Sequence, residues 1–88
     1  MFINPSITSE CMKAFVEVKI EAGANIQRIV NTLRSIEGVK EAFAVTGHTD
    51  IIATIDANDL KGIADIVTQK IHTIKGIEST ETMVCVED

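Results

Sequence analysis

The chain has no tryptophan and no tyrosine, and only three phenylalanines, one proline and two cysteines among its 88 residues. With so few aromatic residues the apolar content rests on isoleucine and valine, which favours strands packed by β-branched side chains. Cys11 and Cys85 stand alone and far apart, which excludes a disulfide framework and a paired-cysteine metal motif. They read as ordinary thiols of a reducing compartment. Basic runs are also missing. Eight lysines and arginines lie scattered against thirteen acids, for a net charge of −5. A nucleic-acid surface needs clustered cations to neutralise phosphates, so direct nucleic-acid binding is not expected. No apolar run approaches the roughly 20 residues of a membrane-spanning helix. The opening Met1-Phe2-Ile3-Asn4-Pro5 is too short and too polar for a signal peptide. A cytoplasmic protein without membrane association is the expectation.

What is present suffices for one small domain. Hydrophobic residues make up 45% of the chain, enough for a core, though a domain this size folds with little margin. Residues 1–11 carry turn chemistry (Pro5, Ser6, Thr8, Ser9) without periodicity and read as an N-terminal arm; residues 12–88 read as the domain.

One piece of punctuation occurs twice, Ile36-Glu37-Gly38-Val39 and Ile74-Lys75-Gly76-Ile77, with the glycines 38 positions apart. Each copy follows an amphipathic stretch and precedes an alternating one, so each glycine reads as a left-handed helix stop. Before the first copy, Met12 to Ile20 alternates, with Ala14, Val16, Val18 and Ile20 on one face. Asn25 can then cap a helix striped by Ile26, Ile29, Val30, Leu33 and Ile36. A second strand follows from Val39, with Ala42 and Ala44 set against Glu41, Phe43 and Val45. A third runs from Asp50 to Asp56 with Ile51, Ala53 and Ile55 on one face. Asn58 or Asp59 can cap a second helix striped by Leu60, Ile63, Val67, Ile71 and Ile74, and the last strand runs from Ile77 to Val86. The order is βαββαβ. Two right-handed crossovers then place both helices on one face of a four-stranded antiparallel sheet with the first and third strands central. The expected fold class is α+β, ferredoxin-like.

The face away from the helices is expected to hold Phe15, Ala42, Ala44 and Ile52, with Met83 and Cys85, or with Val84 and Val86 if the last strand faces the other way. That is apolar enough to predict sheet-to-sheet homodimerisation.

Residues that could carry chemistry are few. No Ser/His/Asp arrangement, phosphate loop or metal-ligand set is visible, so no catalytic residue, metal or cofactor is expected. His48 and His72 fall on different elements without a third ligand, and Asp56 and Asp59 read as caps. The one polar cluster between apolar strands is Thr46-Gly47-His48-Thr49-Asp50. Amides of Gly47, His48 and Thr49 could form a small anion nest for a carboxylate, and Asp50 could take an ammonium group. Together they would suit a zwitterion. A plain hairpin turn in which Asp50 caps the backbone fits the same residues.

The run Val45-Thr46-Gly47-His48-Thr49-Asp50-Ile51-Ile52 resembles the V-x-G-x-x-D-hydrophobic-hydrophobic segment of the Lrp/AsnC effector domain, also called the RAM domain. The run Ile74-Lys75-Gly76-Ile77-Glu78-Ser79-Thr80-Glu81-Thr82-Met83-Val84-Cys85-Val86-Glu87 looks like that domain's closing segment. The resemblance covers Met12 to Glu87. It implies the same fold (dimeric α/β barrel type), homodimers formed through the sheets, octamer-like higher assemblies, and a small effector, typically an amino acid, bound between subunits. Carried across, the ligand-binding positions are Gly47, His48, Thr49 and Asp50 in the turn, with Thr82, Met83, Val84 and Cys85 on the last strand. Full-length members carry an N-terminal helix-turn-helix. With about eleven residues before the domain, this chain looks like a stand-alone form, expected to sense an amino acid, to co-assemble with full-length regulators of the family and to catalyse nothing. A pure assembly domain without a ligand is the alternative. The chain departs from the family pattern at Ile74-Lys75-Gly76, which lacks the frequent proline before glycine, and at His48 and Thr49, where aromatic or acidic residues are common.

Overall fold

The structure, a computed structural model, describes residues 12–86. The expected arm, residues 1–11, lies outside the described residues. The elements run in the order β1 (Met12–Ile20), α1 (Ile26–Arg34), β2 (Val39–Ala44), β3 (Ile51–Ala57), α2 (Leu60–Ile66), a π-helical continuation (Val67–Ile71) and β4 (Ile77–Val84). The sheet order is β2-β3-β1-β4, with every neighbouring pair antiparallel. This is the ferredoxin-like α+β architecture, with β1 and β3 at the centre.

Alternation decides the faces. Ala14, Val16 and Val18 of β1 and Ile51, Ala53 and Ile55 of β3 are all fully buried. They meet Ile29, Val30 and Leu33 of α1 and Ile63, Val67 and Ile71 of the second helical segment in one core cluster, so both helices cover the same side of the sheet. The helix starts follow their caps. Asn25 Oδ1 accepts the Arg28 amide at 3.0 Å and Asp59 Oδ1 accepts the Gly62 amide at 2.8 Å, each satisfying a donor that has no partner inside the helix.

The second helix does not keep an α-helical period to its end. Its buried residues Ile63, Val67 and Ile71 are spaced at four and four. In a 3.6-residue period each such step would carry the stripe about 40° further round the helix. The wider π turn offsets that drift, and the His72 amide reaches back five residues to the Val67 carbonyl at 2.9 Å. Leu60, expected in the stripe, is instead 57% exposed at the start of α2.

The repeated Ile-x-Gly motif has a different role from the expected helix stop. Helix α1 ends at Arg34, with Ser35 as its C-cap. The Val39 amide then bonds the Ile36 carbonyl at 3.1 Å, and the Ile77 amide approaches the Ile74 carbonyl at 3.5 Å. Each motif is therefore a four-residue turn leading into a strand. The glycine stands third, at φ +100° in Gly38 and +101° in Gly76, the position that requires positive φ in a type II turn. The two halves of the chain use the same local device at the same place.

Strand β2 corrects the expected open face. Its pairing with β3 shifts between Val39 and Glu41, the mark of a bulge, which inserts one residue and resets the alternation. Val39 and Ala42 are both buried on the helix side. Ala42 and Ala44 sit opposite Ala53 and Ile51, whereas Phe43 sits opposite Ile52. The open face therefore carries Phe43 in place of Ala42 and Ala44. Phe15, 37% exposed, lies opposite Met83, 44% exposed, and Phe43 is 47% exposed. The expected positions of Phe15, Ile52 and Met83 on this face match the register.

Candidate ligand site

The connection between β2 and β3, residues 45–50, is closed by the Val45 amide donating to the Asp50 carbonyl at 2.9 Å. It is fastened to the end of β1 by three further bonds. The Asp50 amide donates to the Val18 carbonyl at 3.1 Å. The Ile20 amide donates to Asp50 Oδ2 at 2.9 Å. Lys19 Nζ donates to the His48 carbonyl at 3.2 Å. The turn is thus anchored on a central strand rather than free in solvent. Gly47 at its tip has φ +122°, with nothing within 4 Å of where a Cβ would stand. Gly47 and His48 are exposed; Thr49 and Asp50 are half-buried.

Among the described residues the amides of Gly47, His48 and Thr49 make no hydrogen bond. Asp50 has one carboxylate oxygen engaged and the other uncommitted. These amides and the fixed Asp50 carboxylate in the turn, with the Lys19 ammonium group beside it on β1, offer opposite charges to the two ends of a zwitterion. The sequence by itself gives Lys19 no tie to the turn. Its place follows from the β1–β3 register, in which Val18 pairs with Ile51 and the next residues reach the turn; no local signal in the sequence contains that pairing.

The predicted strand residues stand elsewhere. Thr82 pairs with Val16, Met83 with Phe15 and Val84 with Ala14, and the Cys85 amide bonds the Lys13 carbonyl. These positions flank the opposite edge of β1 and its opposite end. Val84 is displaced along the strand from the Val18 level by roughly 13 Å at the ordinary strand rise. Within one protomer the turn and residues 82–85 do not form a common pocket. They also divide between faces. Thr82 and Val84 line an apolar groove of about 310 Å³ with Leu60, Ile63, Ala64, Val67 and Thr68, while Met83 lies on the open face opposite Phe15. Among the described residues no group of three or more His, Cys, Asp or Glu is placed to hold a metal ion, and no helix is long and apolar enough to cross a membrane.

A four-stranded antiparallel sheet with both helices on one side places the chain among ferredoxin-like α+β domains. Comparison with known proteins names the kind. Residues 13–88 match the family described as Lrp/AsnC ligand binding domain, and the chain belongs to that family. Regulatory protein AsnC of Escherichia coli is 23% identical over 86 residues, spanning 98% of this chain and 57% of that protein. Its structure superposes with a TM-score of 0.84. A Thermus thermophilus protein, TTHA0845, is 30% identical with a TM-score of 0.82, covering 88% of this chain and 95% of its own. Homocitrate synthase of Sulfurisphaera tokodaii is 32% identical over 73 residues, 83% of this chain and 16% of the enzyme. A Neisseria meningitidis transcriptional regulator solved as its L-Met complex superposes with a TM-score of 0.81 at 18% identity, covering 100% of this chain and 58% of its own. The chain spans about a sixth to somewhat over half of the length of these curated relatives.

Proposed function

We propose that this chain is a non-catalytic effector-sensing and oligomerising module that binds a small amino acid at the 45–50 turn, between subunits. The observation that carries the reading is the turn itself: three amides and one Asp50 oxygen without a partner among the described residues, beside Lys19, in a turn held on β1 by one backbone and two side-chain bonds. The ligand's carboxylate goes to the amides and Lys19, and its ammonium group to Asp50. Residues 82–85 reach the ligand only from a neighbouring subunit, so a site using both segments needs an oligomer. The open face supplies one contact for it, with Phe15, Phe43, Ile52 and Met83 facing the same surface of a second copy. That the Neisseria regulator was solved with L-Met supports an amino acid as the ligand class, and membership of the family supports association with full-length regulators.

Calorimetric titration of the native oligomer with each common amino acid tests this. Binding of at least one, abolished in Asp50→Asn, is the expected outcome. Asparagine keeps an oxygen for the Ile20 amide while removing the charge, so loss of binding without loss of fold isolates the electrostatic role. No heat from any amino acid defeats the sensing role.

A second reading, a pure assembly domain, draws on the same geometry. Asp50 and Lys19 already hold the turn to β1, which is what a purely structural hairpin needs. Co-purification with a helix-turn-helix partner, in the absence of amino-acid binding, distinguishes it.

A further inference from the structure

The open face is not apolar to its end. Next to Phe15 lies a polar cavity of about 470 Å³, lined by Lys13 and Phe15 of β1, Lys40 and Glu41 of β2, and Thr54 and Asp56 of β3. That volume lies in the range of small-ligand sites. Two features set this cavity apart from an ordinary surface hollow. The first is the bulge in β2. Consecutive side chains of a regular strand point to opposite faces. The residue inserted between Val39 and Glu41 brings Lys40 and Glu41 to one cavity, and bulges re-aim side chains in this way beside functional sites. The second is Thr54, which is 9% exposed and the one buried polar residue among those described. The hydroxyls of Thr32, Thr68 and Thr73 each donate to a backbone carbonyl. That of Thr54 has no partner among the described residues, although buried polar groups are ordinarily paired.

The strand register fixes where the groups stand. Asp56 lies opposite Lys13, and Lys13 Nζ meets Asp56 Oδ1 at 3.2 Å. Thr54 lies opposite Phe15 on one side and Glu41 on the other. Lys40, inserted between the residues opposite Ile55 and Thr54, stands on the Asp56 side of Glu41. The cavity therefore has two rows. The outer row sets two ammonium groups, Lys13 and Lys40, against the single carboxylate of Asp56. Lys13 gives one of its three donors to Asp56 and keeps two, and Lys40 has no ion-pair partner among the described residues. The inner row holds the Thr54 hydroxyl between the Glu41 carboxylate and the half-exposed ring of Phe15.

We propose that this cavity binds a small 2-hydroxy acid. The ligand's carboxylate takes charge-assisted bonds from Lys13 and Lys40. Its hydroxyl accepts from Thr54 Oγ1 and donates to the Glu41 carboxylate, and its alkyl chain lies on the Phe15 ring. Glu41 sets the discrimination. A 2-oxo acid brings an acceptor where Glu41 needs a donor, so lone pairs oppose each other. A dicarboxylate or a phosphate brings a second negative charge against Glu41 and Asp56. An α-ammonium group meets the positive surplus of the outer row and accepts nothing from Thr54. The cavity lies at the Lys13 end of β1 and the 45–50 turn at the Val18 end, so this inference does not depend on the ligand reading of the turn.

Calorimetric titration of the full chain with 2-hydroxyisocaproate, 2-oxoisocaproate and leucine, which share one carbon skeleton, tests it. Lys40→Gln changes an exposed side chain, and Thr54→Val keeps the β-branched shape, so both are expected to keep the wild-type circular dichroism spectrum. The hydroxy acid is expected to bind, and to bind more tightly than the oxo acid. Lys40→Gln is expected to weaken it about tenfold, as for the loss of a charge-assisted bond, and Thr54→Val about fivefold, as for a neutral one. Asp50→Asn, in the turn, is expected to leave this binding unchanged. If Thr54→Val fails to fold, Lys40→Gln decides. No heat from the hydroxy acid overturns the proposal, as does heat that Lys40→Gln and Thr54→Val leave unchanged. Heat lost in Asp50→Asn assigns the ligand to the turn and overturns it too. An oxo acid that binds as tightly as the hydroxy acid, or leucine binding that Lys40→Gln and Thr54→Val weaken, overturns the ligand class.

Discussion

Asp50 shows how much one side chain can hold in a small domain. Its carbonyl closes the turn, its amide reaches Val18, and its carboxylate takes the Ile20 amide where the β1–β3 ladder runs out. Asp50→Ala leaves that amide without its acceptor. Because the site is only partly buried, the expected loss is about 1 kcal/mol, the low end for an unsatisfied donor, read as a lower urea midpoint; Asp50→Asn is expected to lose less. Gly38 makes the opposite kind of demand, on the backbone. At φ +100° a Cβ would stand 2.5 Å from Ile66 Cδ1. The isoleucine tip can yield, but the left-handed strain of about 1–2 kcal/mol for a non-glycine residue cannot. Gly38→Ala is expected to lower the thermal midpoint by an amount reflecting at least that strain.

Among the elements, spacing in the sequence foretold the burial of most residues and failed where the helix or strand period changes. Met12–Ile20 alternates without interruption, and its bounds and faces follow from the sequence. Val39–Ala44 also looks alternating, but one inserted residue reverses the side chains beyond it, so Phe43 and Ala42 exchange faces. A bulge is a property of two paired strands, and neither strand encodes it alone. The second helix has the same lesson in helical form. The apolar spacing found Ile63, Val67 and Ile71, which the π turn keeps on the sheet, but also took in Leu60, which is left outside the core. Ile71→Ala is accordingly expected to cost about 2–5 kcal/mol, as for a fully buried aliphatic side chain. Leu60→Ala should cost under about 1 kcal/mol, in the range of surface substitutions and partial burial. Paired urea denaturation curves measure both. Of the candidate site, the turn at residues 47–50 was legible as a turn because turn chemistry is local. The contribution of Lys19 and the separation of residues 82–85 from the turn were not, because both depend on strand register.

At the scale of the whole molecule, the described residues leave the apolar open face and the amides of the turn without partners. On the open face, Phe43→Lys places a charge opposite Ile52 in the apolar band and is expected to break the sheet-to-sheet contact, seen as a fall in mass by sedimentation with the fold retained. The turn carries the central claim. A crystal structure of the oligomer grown with the amino acid that binds in calorimetry tests it most directly. The account predicts density at residues 47–50, with the ligand's carboxylate on the amides of Gly47, His48 and Thr49 and its ammonium group on Asp50. A ligand seated away from this turn, or a turn that stays empty at saturating amino acid, would contradict it.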